Sequence, residues 1–296
     1  MRGAAGPAPI VLLTGVLAVL ITTSGNAQGS PPIQDNSFLI EEAYNQEWGV
    51  VQHISLFTRA RDGSWSYTFT QEWPYRGQKH QLSFTLPLLH DNGPGGGSTG
   101  PGDLALNYRL QLLGKGDSPL WIAPRFSLTL PTGRWQAGRG NGVVGAQISL
   151  PMSLQISKRF ATHLNAGFTL QPRARGVSGN RATLVSYTAG ASVIFFMAPS
   201  INLLLESIVQ NSPEISGPGR TVRQTSVLVS PGIRWAHNFR SGLQIVPGLA
   251  YTRGLGAASD QSRFLVYFSL EHPFKRQHRA HTEQVANGFE RRSSYP

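Results

Sequence analysis

This chain of 296 residues has no cysteine, which excludes disulfides, thiolate metal sites, a thiol nucleophile and an acylated N-terminal cysteine anchor. After the first twenty or so residues it also lacks any apolar run long enough to cross a bilayer as a helix. Acidic groups are scarce, 15 against 26 Lys and Arg, for a net charge of +11. Basic charge of this kind suits nucleic acid in other settings. Here the arginines are spread over connectors (Arg134, Arg139, Arg173, Arg175, Arg181, Arg220) and the C-terminal tail, with no nucleic-acid-binding module, so no nucleic-acid partner is expected.

Residues 1–27 read as a secretory signal peptide: Arg2 is its only charge, residues 10–21 are the apolar stretch, and Gly25-Asn26-Ala27 supplies small residues for cleavage. Losing Arg2 leaves 25 basic residues against 15 acidic, about +10. The mature chain is a series of short segments in which apolar and polar residues alternate. The phase is cleanest at 103–112, where Leu104, Leu106, Tyr108, Leu110 and Leu112 share one face and Asp103, Ala105, Asn107, Arg109 and Gln111 the other. Segments 64–73 and 160–170 repeat it. Strands are expected at 50–58, 64–73, 80–89, 102–113, 120–130, 144–156, 160–171, 182–197, 201–210, 222–237, 242–253 and 262–274. The phase is blurred where Leu184, Ile194 and Phe196 put apolar groups on the inner face.

The connectors alternate as well. Those at 74–79, 114–119, 157–159, 198–200 and 238–241 are tight, while 90–100, 131–143, 172–181, 211–221 and 254–261 are longer and mostly richer in glycine; only 59–63 is short where a long loop is expected. Short periplasmic turns and longer outer loops characterise outer-membrane barrels, in which a sheet must close on itself because lipid offers no partner to an open edge. The expected fold is therefore all-β, a closed antiparallel transmembrane β-barrel of about twelve strands over residues 48–274. A soluble sandwich shares the alternation within strands but rarely sustains the alternation of loops. Residues 28–47 form an N-terminal segment, periplasmic or plugging the lumen, and 275–296 a disordered periplasmic tail. Pro87, Pro124, Pro151, Pro231 and Pro247 fall inside strands and predict bulges there.

Trp65 and Trp73 share a face eight residues apart. At ~3.4 Å per residue this is ~27 Å, or ~21 Å along the normal for a strand tilted ~40°, close to the ~25 Å apolar band. Each indole is expected in one interfacial girdle, with Tyr108, Trp235 and Tyr251 as further members. The last strand, with Phe264, Val266, Phe268, Leu270, His272 and Phe274 on one face, ends on an aromatic residue, as barrels that meet the barrel-assembly machinery usually do.

The blocks Gly102-Asp103-Leu104-Ala105-Leu106-Asn107-Tyr108-Arg109, Ala123-Pro124-Arg125 and Leu130-Pro131-Thr132-Gly133 resemble the outer-membrane transporters grouped as the MetA-pathway of phenol degradation family. Ser37-Phe38-Leu39-Ile40-Glu41-Glu42-Ala43-Tyr44-Asn45-Gln46 and Val50-Val51-Gln52-His53-Ile54 are similar to one branch of it. The likeness spans roughly residues 37–274. It implies a closed barrel with a transport role for small aromatic or apolar compounds, and carries over no catalytic or ligand residues.

Arg109, Arg125, Glu206 and Arg234 lie mid-strand on polar faces. An arginine facing lipid at the midplane costs ~2–4 kcal/mol, so these groups, with Glu72, Asp103 and His163, are expected to line the lumen. They make either a basic constriction for anionic or polarised solutes or a structural charge cluster. Glu41 and Glu42 are candidate plug residues whose carboxylates would meet the lumen arginines. His53 and Ser55 share a strand face and resemble the nucleophile and base of outer-membrane phospholipases. With Ile54 and Leu56 toward lipid, however, they turn inward, away from phospholipid. The glycine-rich stretch Gly96-Gly97-Ser98-Thr99-Gly100 lacks the helix a nucleophile elbow needs and the lysine a phosphate-binding loop needs. His272, His278 and His281 read as solvated rather than metal-binding. No catalytic residue, metal or cofactor is expected.

The function read from the sequence is a channel or facilitator for passive movement of small solutes across the outer membrane. The alternatives are a non-conducting structural or adhesive barrel whose basic loops bind lipopolysaccharide phosphates, and an outer-membrane lipid hydrolase. The expected partners are outer-membrane lipids and lipopolysaccharide, a small-molecule solute and the assembly machinery.

Overall fold

A computed structural model of the chain describes residues 37–92, 97–116 and 118–274. The leader, residues 28–36, and the tail from 275 with His278 and His281 lie outside the described residues. The strands are, in chain order, β1 (Val50–Ala60), β2 (Trp65–Pro74), β3 (His80–Asp91), β4 in two segments (Ser98–Pro101 and Leu104–Leu110), β5 in two segments (Leu120–Ile122 and Arg125–Leu130), β6 (Gly145–Ser157), β7 (Phe160–Arg175), β8 (Arg181–Ala198), β9 (Ile201–Gly217), β10 (Arg220–Trp235, continued by His237–Asn238), β11 (Gln244–Leu255) and β12 (Ser262–Pro273). Each pairs antiparallel with the next. β1 then pairs β12, from Val50 opposite Pro273 to Ala60 opposite Arg263, and the sheet closes without an edge.

The two faces separate as the alternation predicts. On β7, Leu164, Phe168 and Leu170 are exposed while Ala161 and His163 are buried; on β4, Leu106 and Tyr108 are exposed while Asn107 and Arg109 are buried. Polar and charged groups thus fill the interior, and an apolar surface faces outward. Trp65 and Trp73 lie at opposite ends of β2 on the outer face, Trp65 stacked on His90 and Trp73 against Phe84. Tyr108, Trp235 and Tyr251 are also outward and exposed.

Three expectations are corrected. First, β1 has the opposite phase. Ile54 and Leu56 point inward and pack on a cluster containing Phe38, so His53 and Ser55 face outward. There His53 Nε2 lies 3.2 Å from His272 Nε2, and Ser55 Oγ 3.0 Å from the Tyr67 hydroxyl. Leu204, Ile194 and Phe196 belong to the same interior apolar cluster, which accounts for the blurred inner face of β8. Second, the prolines do not all make bulges. The register slips near Pro87, three steps of β3 matching four of β4 between Thr85 opposite Ala105 and Leu88 opposite Pro101, and again beside Pro124, where four steps running on from β4 match three of β5 between Arg109 opposite Arg125 and Leu113 opposite Ile122. At Pro231 and Pro247 one ladder is interrupted and resumes in register, and through Pro151 the pairing with β7 is continuous. A proline costs one donor, whereas a slip would turn every later side chain to the wrong face. Third, half of the connector at 172–181 and most of that at 211–221 is strand: β7 and β8 run to Arg175 and from Arg181, and β9 and β10 to Gly217 and from Arg220.

Candidate functional site

Residues 37–46 lie inside the barrel. Irregular backbone there must find every partner within the protein, since lipid and packed side chains supply none. The wall provides them from inward amides, hydroxyls and carboxylates. Leu39 and Ile40 N–H donate to Glu206 Oε1 on β9 at 2.8 and 3.0 Å. Glu41 N–H donates to Asn165 Oδ1 on β7 at 2.9 Å, and Asn165 Nδ2 donates back to the Glu41 carbonyl at 2.8 Å. Ala43 N–H donates to Ser153 Oγ on β6, which in turn lies 2.7 Å from His163 Nδ1. Asn45 and Gln46 N–H donate to Gln111 and Gln81, beside β4 and on β3. The Gln46 side chain reaches Gln52 on β1 and Glu271 on β12, and Ser37 Oγ lies 3.0 Å from Ser192 Oγ on β8. The segment therefore crosses the bore from one wall to the other.

Two apolar side chains anchor its first half. Phe38 lies against Tyr267, ring centroids 5.2 Å apart, in a slot where Gly232 and Gly248 have no side chain. A Cβ on Gly248 would fall 2.5 Å from the Phe38 ring, and one on Gly190 would fall 2.4 Å from Ile40 Cδ1. Farther along, Tyr44 packs edge-on against Trp121.

Arg109, buried on β4, holds the second half. Its Nε donates to Asn45 Oδ1 at 2.8 Å, Nη1 to Glu41 Oε1 at 3.2 Å and to the Glu42 carbonyl at 3.1 Å, and Nη2 to the Tyr44 carbonyl. Nη2 also lies 3.8 Å from Glu72 Oε2, which accepts from Gln81 Nε2 at 2.6 Å. Arg125 on β5 binds Glu41 Oε1 at 2.9 Å. Two arginines and two carboxylates thus share one network, buried at Arg109 and Glu72 and half-buried at Arg125 and Glu41, in which each guanidinium meets carboxylate and amide or peptide carbonyl oxygen.

Of the other lumen candidates, Arg234 is buried on β10 beside Asn202, whose amide oxygen, in the orientation that satisfies both groups, accepts from Nε and Nη2 at 3.2 and 3.3 Å. Asp103 serves the β5–β6 loop instead, accepting from the N–H groups of Gly133 and Asn141 at 2.9 and 3.0 Å. Glu42 is buried in the segment. Sequence reading names the charged residues and passes over the amides and hydroxyls (Gln81, Gln111, Ser153, Asn165) that hold the segment's backbone. Their only signal is a place on the polar face of each strand.

Beside the segment a cavity of about 360 Å³ remains. Phe38, Leu39, Ile54, Leu56, Ile208 and Tyr267 give it an apolar side; Thr68, Thr70, Thr85, Gln147 and Gln210 give it hydrogen-bonding groups. The charged groups that reach it, Glu41, Glu72 and Arg125, belong to the paired network.

The barrel is similar to the COG4313 outer membrane channel from Pseudomonas putida F1, with a TM-score of 0.60 at 14% identity over 78% of this chain and 97% of that one. It is also similar to the NanC porin, with a TM-score of 0.51 at 8% identity over 76% of this chain and 99% of that one. At these identities what is shared is the fold. No family model and no curated protein matches the chain.

Proposed function

We propose that the protein is a passive outer-membrane channel or facilitator for small, uncharged amphipathic solutes, held closed at rest by residues 37–46. The observation that supports it is the cavity. It is large enough for a single-ring compound, has one greasy side and one side of hydroxyls and amides, and exposes charge only where that charge is already neutralised. An ion entering it would lose hydration without gaining an uncompensated partner, whereas a neutral solute with a single polar edge meets both of its needs. Arg109 and Arg125 act in this reading as clamps on the segment rather than as an anion-selective constriction. The resemblance to the MetA-pathway family and the channels among the similar structures support transport of this kind.

The test is uptake by liposomes containing the full chain, with phenol and benzyl alcohol compared against benzoate and benzylammonium. Faster uptake of the neutral pair than of empty liposomes, without faster uptake of the ions, is expected. No uptake of any of the four, together with unchanged conductance after Glu41→Ala/Glu42→Ala, would sink the proposal.

That outcome would favour the second reading, a non-conducting barrel, which the many wall contacts of the segment also support. The hydrolase reading gains an outward His53 and Ser55 but finds each engaged elsewhere, by His272 and Tyr67.

A further inference from the structure

Outside the bore, the outer faces of β7–β10 change character in steps toward the end of the barrel that carries the β7–β8 and β9–β10 hairpins. Ala189, Val209 and Val227 stand in line across β8, β9 and β10. The next outward level is Tyr187, Asn211 and Thr225, also in line. One step farther, the Arg223 guanidinium lies 5.6 Å from the Tyr187 ring centroid and donates to Asn211 Oδ1 at 2.6 Å and to the Val185 carbonyl at 3.1 Å. Beyond it Arg175 and Arg181 are set directly opposite each other on β7 and β8. Arg173, at a bulge with φ of 54°, and Arg220 extend the basic surface.

Like charges placed opposite each other on a sheet repel; the Arg175 guanidinium lies 5.5 Å from the Trp135 ring centroid, and among the described residues no carboxylate pairs with Arg175 or Arg181. Among the described residues no ion pair reaches Arg173, Arg175, Arg181, Arg220 or Arg223, and Glu214 on β9 pairs with none of them. The order from apolar to aromatic to arginine matches a bilayer from acyl chain through interface to headgroup. A guanidinium held in place by a ring and a carbonyl, as that of Arg223 is, suits the oxygens of a phosphate ester.

We infer that this arginine collar on β7–β10 binds the phosphate groups of an anionic lipid of the outer leaflet, whose acyl chains lie against the apolar level below. The occupant is a lipid rather than free phosphate, because the arginines line a convex outer face next to the apolar band and enclose no pocket. The inference stands apart from whether the bore conducts.

Native mass spectrometry of the full chain in detergent, titrated with diphosphoryl lipid A and with the dephosphorylated lipid, tests it. Wild type should hold the diphosphoryl form about tenfold more tightly, as several exposed charge pairs acting together would give. Arg175→Gln/Arg181→Gln/Arg223→Gln should remove most of that preference, while Lys158→Gln/Arg159→Gln, at the β6–β7 turn of the opposite end, should keep it. Inorganic phosphate at matching concentration should not displace the lipid. Equal binding of the two lipids by wild type needs no variant to read and would overturn the inference. So would a triple variant that binds as wild type does, a control variant that loses as much, or displacement by inorganic phosphate.

Discussion

Glu41 and Arg125, 84 residues apart in sequence, meet at 2.9 Å inside the barrel, and the same carboxylate oxygen lies 3.2 Å from Arg109. One acidic residue of an irregular segment thereby bridges two wall arginines, and Glu72 supplies the second negative charge. Removing one partner of a buried pair costs ~3–5 kcal/mol, because the other charge is left without compensation. The expected result of Glu41→Ala/Glu42→Ala is a raised single-channel conductance in planar bilayers, with the barrel itself still folded by its heat-dependent gel mobility. Glu41→Gln should give a smaller increase, since it keeps an acceptor for each guanidinium.

Phe38 occupies space that Gly232 and Gly248 leave open. Gly248→Ala places a methyl group 2.5 Å from its ring and must push it out. Losing the burial of that ring weakens docking of the segment by ~1.5–3 kcal/mol. Hydrogen exchange at residues 39–46 should accelerate about tenfold or more in the variant. Strand amides of β2 and β3 should exchange as before; if they accelerate equally, the glycine serves the barrel and not the segment.

Ser37 and Ser192 face each other with Oγ atoms 3.0 Å apart. The chain has no cysteine of its own, so Ser37→Cys/Ser192→Cys should form a single defined disulfide on oxidation, the sulfurs closing to ~2.05 Å. Combined with Glu41→Ala/Glu42→Ala, the oxidised form should conduct less than the reduced form, and dithiothreitol should restore the current. A reduced and an oxidised pore of equal conductance would show that movement of the segment's first residues does not open the bore.

Phe168 and Gly167 are adjacent on β7 and face opposite ways, one exposed on the outer surface and one toward the interior. Phe168→Arg puts a charge into the apolar band and should cost ~2–4 kcal/mol when unfolding is measured in lipid vesicles. Depth rather than charge sets that cost, so Thr183→Arg, on the outer face of β8 near the rim, should cost only ~0–1 kcal/mol. A small cost at position 168 would contradict the outward face of β7.

Much of the fold is legible in the sequence because it is local. Leu104, Leu106, Tyr108 and Leu110 alternate with Ala105, Asn107 and Arg109, and the two-residue period of a strand alone assigns them to opposite faces. β1 misleads for the same reason. Ile54 and Leu56 obey the period, but the rule that apolar means lipid fails when the interior contains a phenylalanine from elsewhere. The extensions of β7–β10 are hidden because Gly, Pro, Ser and Arg read as loop, and pairing with a neighbouring strand overrides that preference.

An alternating chain of about twelve strands, a polar inner face carrying charge and an acidic segment ahead of it are all readable from residue order, since each depends on residues close together in the chain. That Glu41 reaches Arg109 and Arg125, that Glu206 and Asn165 hold the segment's backbone, and that three glycines make room for Phe38 and Ile40 emerges from the folded chain alone. Those partners lie on strands from every part of the chain, and closing the barrel is what brings them around one short peptide.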